Sequence, residues 1–237
     1  MSRKYSYIGT ALIILIFGIY VVRNLDNRIS NESLVNSNRL NKKKKVEQTN
    51  NNQLFSYRKV PPFEFINQDR KLITNKSYAG KVYIVEFFFT SCPSICPIMT
   101  QSMLDIQKEF FVYSNVGMAS ISITPNIDTP EVLKEYAKNM GIIHENWHLL
   151  TGKSEGTVFN LSNEGFKLYA GTDNKNLHGG FEHSGLFALV DQNGMIRSRK
   201  DAQGNPILYY RAIEEAGFVN QIKELKQDIK ILLNEYP

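Results

Sequence analysis

Apolar residues follow three rhythms along the 237-residue chain. From Tyr5 to Val22 eighteen consecutive residues carry no charge, with Ala11-Leu12-Ile13-Ile14-Leu15-Ile16-Phe17 at their centre. As a helix this run reaches about 27 Å, just enough to cross a bilayer core of roughly 30 Å. Val22 is followed by Arg23-Asn24-Leu25-Asp26 and not by the small residues of a cleavage site. Residues 1–22 therefore predict an uncleaved, single-pass membrane anchor. Basic residues flank the run almost equally, Arg3 and Lys4 on one side and Arg23, Arg28 and Arg39 on the other. The short basic N-terminal flank sets the expected orientation: a cytoplasmic N-terminus, with everything after residue 22 exported.

Residues 23–60 have no sustained apolar period. They hold nine asparagines between Asn24 and Asn52 and the run Lys42-Lys43-Lys44-Lys45. So little apolar surface cannot offset the entropy of ordering, and the segment predicts a solvated tether.

From residue 61 to 237 the pattern alternates between apolar runs and helical periods. Lys81 to Phe89 is almost continuously β-branched and aromatic, as in a strand buried on both faces. Pro97 to Phe111 predicts a helix with Met99, Met103, Leu104, Ile106 and Phe110 as its inward stripe. Gly117 to Ile123 predicts a second strand. Asp128-Thr129-Pro130-Glu131 opens another helix, with Asp128 as the expected cap. Trp147 to Leu150 predicts a short strand, Lys153 to Ser162 a helix, and Leu186 to Asp191 a strand. Gln192-Asn193-Gly194 turns that strand into a hairpin with Met195 to Ser198. Phe218, Ile222, Leu225, Ile229 and Leu232 mark a closing amphipathic helix. Strand, helix, strand, helix, hairpin and helix is the order of an α/β thioredoxin-like sandwich, here carried behind an N-terminal transmembrane helix.

Composition narrows the function classes. At 42% hydrophobic and 22% charged residues, wholesale disorder and a multi-span membrane protein are excluded. The net charge of +5 suggests nucleic acid until it is divided by region: residues 1–22 carry +2, residues 23–60 carry +6, and residues 61–237 carry −3. A mildly acidic domain is a poor counterion for a phosphate backbone, so no nucleic acid partner is expected.

The only two cysteines stand in Thr90-Ser91-Cys92-Pro93-Ser94-Ile95-Cys96-Pro97, where a buried strand ends and a helix begins. The carboxyl end of a central strand is where α/β sheets place ligand sites. A helix N-terminus favours thiolate over thiol. If the turn is helical, residues 92 and 96 share a face and both sulfurs point at one object. Such a dithiol either cycles through a disulfide or holds a soft metal, and three intervening residues tilt the choice toward an ion. Two thiolates are too few for a structural zinc site, whereas soft sulfur with one imidazole suits Cu(I). Among the histidines His183, immediately before the strand Leu186 to Asp191, is the best placed third ligand, because an antiparallel strand brings its loop to the cysteine turn. His144 and His148 read as structural, His178 as a non-ligand, and Met99 and Met103 as core.

These residues resemble the Sco/SenC family. The resemblance lies in Phe89 to Pro97, in Ser120-Ile121-Ser122 with Asp128-Thr129-Pro130-Glu131, in Trp147 to Gly152 and in Glu182-His183-Ser184, and it covers about residues 61–237. It implies a thioredoxin-like protein of the cell inner membrane, facing the periplasmic or extracytoplasmic side. It further implies copper, Cu(I) or Cu(II), on Cys92, Cys96 and His183, and as partner the copper-accepting subunit of cytochrome c oxidase. Some members instead reduce the oxidase's copper-accepting cysteines, a role in which Cys92 and Cys96 are the redox pair. The chain departs from the family where aspartate often stands at Thr124 and histidine at Ser91. The segment Asp201 to Gly217 looks like an insertion. No proline lies between Pro130 and Pro206, so the proline loop of an ordinary thioredoxin-type reductase is missing. A copper-binding assembly factor is the reading favoured. A thiol-disulfide oxidoreductase and a non-catalytic copper or redox sensor are the alternatives, and a peroxidase needs a different motif context.

Overall fold

The computed structural model describes residues 15–21, 53–172, 180–214 and 217–235. Chain contacts divide the protein into two units, Met1–Asn51 and Asn52–Pro237. In the first, residues 15–21 are helical, with Leu15, Ile16, Phe17 and Tyr20 exposed. Among the described residues no helix is long and apolar enough to cross a membrane. The rest of the expected 1–22 span, and the expected tether up to residue 52, lie outside the described residues.

The second unit starts earlier than the expected boundary at residue 61. Strand β1 (Phe55–Lys59) pairs with β10 (Met195–Ser198), and Leu54 and Val60 on either side of it are buried. In between come β2 (Glu64–Asn67), β3 (Leu72–Thr74), β4 (Val82–Phe88), helix α1 (Cys96–Phe110), β5 (Val116–Ser122), α2 (Pro130–Met140) and β6 (Trp147–Thr151). A short helix α3 (Glu155–Asn160) runs into a π-helical turn at Leu161–Phe166, followed by β7 (Ala170–Thr172), β8 (Phe181–His183) and β9 (Leu186–Val190). After β10 come β11 (Tyr210–Arg211) and α4 (Ile222–Glu235).

The main sheet runs β1-β10-β9-β4-β5-β6-β2-β3, with β11 also paired to β9. β4, β5 and β6 are parallel, and β9 lies antiparallel on β4 with Ile84 opposite Leu189. Every residue of β4 and β5 is buried, which is why both read as unbroken apolar runs. Successive side chains alternate faces: Phe87 meets Phe166 of the π turn, while Phe88 meets Tyr136 of α2. α1 joins the α2 layer through the hydrogen bond of Thr100 with Tyr136, and α4 through ion pairs of Lys226 and Lys230 with Glu109. Met99 and Met103 of α1 are completely buried, as a core stripe requires.

One expectation is corrected here. Asp128 is not the cap of α2: Thr129 is, its side chain accepting from Val132 N. The segment from Asp201 packs onto the domain. β11 covers the Leu186 end of β9, and the buried Tyr210 donates to Asp228 Oδ2 of α4 at 2.6 Å. Arg199 binds the same carboxylate, so the segment ties the hairpin to the closing helix.

Glu86 is the odd residue of β4, 1% exposed at the sheet centre. Trp147 Nε1 donates to Ser120 Oγ, which donates to Glu86 Oε1 at 2.6 Å, while Oε2 has no hydrogen-bond partner among the described residues. Burial pushes its pKa up to about 7 against the pull of the Ser120 bond. The buried group is thus favoured neutral, and that stabilisation is fully present below about pH 4.5 and is lost as pH rises through about 7. In denaturant titrations of the metal-free chain at pH 5 and pH 8, Glu86→Gln is expected to gain on the wild type toward pH 8, by at most about 3 kcal/mol. Parallel pH profiles for the two proteins would show that Glu86 does not change its charge over this range.

Candidate metal centre

β4 delivers the chain to one end of the sheet at Phe88, and the seven residues 89–95 cross from strand to helix. The helix begins at Cys96, one residue before the expected Pro97, so the condition that one helical turn holds both cysteines is not met: Cys92 lies on the crossing before it, its N–H donating to Phe89 O at 3.3 Å. The sulfurs converge all the same. Ile95 caps α1 without a side-chain hydrogen bond, and Pro97 sits in the first turn, where a missing N–H costs nothing. The N–H of Cys96, at the start of that turn, bonds the Cys92 sulfur and favours its thiolate.

The third group arrives from the far side. Because β9 runs antiparallel to β4, the residues preceding β9 return to the end where β4 leaves the sheet. His183 closes β8, which pairs with β7 through Ala170, and Ser184 N donates to Tyr169 O at 2.9 Å. Its ring meets the edge of Phe89 at 5.9 Å. Nδ1 donates to Ser184 O at 3.1 Å, since a carbonyl can only accept, and Nε2 lies 3.0 Å from Cys96 Sγ. Donor atoms of Cys92, Cys96 and His183 all lie within 4.8 Å of one another, and all three residues are buried. Among the described residues this is the one Cys/His/carboxylate group so arranged.

One proton serves the two sulfurs unequally. The Cys96 thiol hydrogen-bonds Cys92 and draws its pKa down to about 3, against the desolvation that opposes it, with His183 adding a smaller pull. The same bond and its own burial push Cys96 up. The metal-free pair is a Cys92 thiolate beside a Cys96 thiol. Above them opens a cavity of about 460 Å³ lined by Phe89, Cys92, Ile95, Phe181, His183 and Ile213.

The other candidates fall away. His144 accepts from Asn146 N and meets Phe110 O, and His148 meets Asn67 Nδ2, both in structural roles away from the sulfurs. His178 lies outside the described residues. Sequence reasoning missed Ile213, which packs so closely over Gly185 that a Cβ there would stand 2.7 Å from Ile213 Cδ1. No local signal marks that contact, since it depends on β11 pairing with β9. Asp128 was read as a local cap, yet it is fully buried and bonded to Thr90, two residues before Cys92.

The sequence matches the SCO1/SenC family over residues 51–216. The chain belongs to this family. It is 38% identical over 140 residues to the SCO1 protein homolog of Bacillus subtilis, a match spanning 58% of this chain and 70% of that one. A SCO2-like protein of Rickettsia prowazekii is 34% identical over 137 residues, spanning 56% of this chain and 64% of its own length. Among solved structures, a SCO1/SenC family lipoprotein from Bacillus anthracis superposes with a TM-score of 0.64 at 28% identity, covering 76% of this chain and 98% of that one. BsSco, a member of the Sco family of cytochrome c oxidase assembly proteins with a disulfide switch, superposes with a TM-score of 0.61 at 29% identity, covering 76% and 95%. These SCO1/SenC structures share the thioredoxin-like α/β architecture described above.

The unequal sharing of the proton has a measurable consequence for this SCO1/SenC protein. In iodoacetamide labelling followed by peptide mass spectrometry, Cys92 is expected to react first, at a rate nearly flat between pH 5 and pH 8. An ordinary thiol loses about tenfold per pH unit over that range. Labelling of Cys96 ahead of Cys92 would reverse the assignment.

Proposed function

We propose that this chain is a membrane-tethered copper carrier that delivers or prepares copper for cytochrome c oxidase assembly, with Cys92, Cys96 and His183 as the ligands. The observation that carries the reading is His183 Nε2 standing 3.0 Å from Cys96 Sγ across 87 residues of sequence. Two sulfurs and one imidazole form a soft donor set suited to Cu(I), and they fall short of the four ligands of a closed zinc site. Two ligands on one first-row ion at roughly 2.0–2.3 Å stand at most about 4.6 Å apart, so donors already within 4.8 Å need only a slight contraction.

The chain's own groups divide the work. Ser184 O orients the His183 ring through Nδ1, Cys92 offers a charged sulfur without prior deprotonation, and Cys96 gives up its proton as the ion enters. The cavity beside Cys92 admits the ligands of an acceptor, which exchange for these donors one at a time. Residues 1–22 anchor the domain in the inner membrane on its extracytoplasmic side, and the asparagine- and lysine-rich stretch behind them gives it reach. A Bacillus anthracis neighbour that is a lipoprotein, and BsSco among cytochrome c oxidase assembly proteins, support this setting. The acceptor is the copper-accepting subunit of the oxidase.

The low Cys92 pKa, together with the disulfide switch of BsSco, favours a second reading, thiol-disulfide exchange. The Cys92 thiolate attacks a partner disulfide, forming a mixed disulfide and releasing one partner thiolate. Cys96, deprotonated, then attacks Cys92 Sγ, closing Cys92–Cys96 and releasing the second partner thiolate, so two electrons pass to the partner.

Loading the full chain with Cu(I) in competition with a chelator is expected to give one ion per chain, with affinity falling at least about tenfold in His183→Ala. Full affinity in His183→Ala removes the third ligand. If that result comes with thiol-disulfide turnover indifferent to His183, the second reading replaces the first.

A further inference from the structure

We propose that Asp128 and Thr90 form a positioning pair for the metal centre, a buried carboxylate that clamps the strand end from which Cys92 is held. The inference rests on the copper reading above. Asp128 is 0% exposed, and among the described residues no lysine or arginine pairs with it. A buried carboxylate without a cation survives only if its oxygens are hydrogen-bonded, and here four donors converge. Thr90 N donates to Oδ2 at 3.1 Å and Thr90 Oγ1 to Oδ1 at 2.5 Å, while Ser122 Oγ and Thr124 Oγ1 donate to Oδ2 at 2.5 and 3.0 Å.

The four bonds differ in what they hold. Ser122 ends β5 and Thr124 follows it, so their hydroxyls fix the carboxylate to the rigid sheet. Thr90 alone lies on the strand-to-helix crossing, and it grips both carboxylate oxygens, one through its backbone and one through its side chain. That double grip fixes both the backbone and the χ1 angle of the residue two places before Cys92. Cys96 is held by the first turn of α1, and its N–H and that of Ser94 bond the Cys92 sulfur from the helix side. The Asp128 clamp holds Cys92 from the strand side. None of the clamp atoms touches the three donors, so its effect passes through position. Outer groups that orient ligands typically carry 10- to 100-fold in metal affinity.

The test compares four single variants of the full chain. Thr90→Val removes the hydroxyl grip at constant shape, and Asp128→Asn leaves an amide facing donors it cannot all accept. Ser122→Ala removes a hydroxyl from the same carboxylate on the sheet side, and Thr90→Ser restores the grip. Thermal melts of all four separate general destabilisation from the effect sought. Thr90→Val and Asp128→Asn are expected to weaken Cu(I) by about tenfold or more and to displace the sulfur-to-copper charge-transfer band of the Cu(II) form. Ser122→Ala, which keeps the Thr124 bond and both Thr90 grips, is expected to lose less than either, and Thr90→Ser to keep wild-type affinity and band. A second readout uses the metal-free chain in a glutathione buffer, where oxidised glutathione takes two electrons from Cys92 and Cys96 to give their disulfide and two reduced glutathiones. That equilibrium should shift at least about threefold in Thr90→Val and Asp128→Asn, less in Ser122→Ala, and not in Thr90→Ser. Wild-type values in Thr90→Val, or an equal loss in Ser122→Ala, overturn the inference. Wild-type chain that takes up no copper sinks the copper reading instead, and the glutathione equilibrium then decides the positioning role by itself.

Discussion

The antiparallel pairing of β9 with β4 is the constraint on which the centre depends. A parallel neighbour would carry the residues before β9 to the opposite end of the sheet, and His183 would stand a strand's length from the cysteines. With β9 reversed, the segment that enters it and the segment that leaves β4 share one end, and three donors separated by 87 residues of chain come within 4.8 Å. β10 and β11 then cover the two ends of β9, and Tyr210 and Arg199 fasten that edge to Asp228 of α4. The hairpin and the closing helix thereby hold β9 where the histidine needs it.

Around this geometry the sheet supplies rigidity and the crossing supplies chemistry. β4 and β5 are buried on both faces, so the end of β4 is fixed by packing before any polar contact is made. Past Phe88 the backbone leaves the ladder, and local bonds must replace it: Cys92 N to Phe89 O, Thr90 to Asp128, and the first turn of α1 under Cys96. The result is a Cys92 thiolate beside a Cys96 thiol, with the His183 ring against the second sulfur.

The parts legible in the sequence are those governed by local pattern. β4, α1, β5 and the β9–β10 hairpin fall within a residue or two of expectation, because a run buried on both faces, an i/i+3/i+4 stripe and an Asn-Gly turn each carry their own signature. Cys92 and Cys96 stood out by spacing, and His183 by preceding a strand whose direction the element order implied. What was illegible depends on distant partners. β1, β2 and β3 are short and only part buried, so their alternation is too brief to read. β7 and β8 have three residues each. Asp128-Thr129-Pro130-Glu131 has the local form of a cap at Asp128. The cap moved to Thr129 because the Asp128 carboxylate found Thr90, 38 residues away. Local pattern cannot see that competition.

The placement of the third donor on its own small ribbon has a mechanical side. β7 and β8 form a two-stranded sheet separate from the main one, whereas the sulfurs hang from the central strand and its helix. An ion bound by all three residues would work as a clasp, closing a circuit through residues 92–183, about half of the domain, and subtracting freedom from the unfolded chain as a cross-link does. Binding and fold would then be linked, since an ion held by all three residues favours the folded arrangement that presents them.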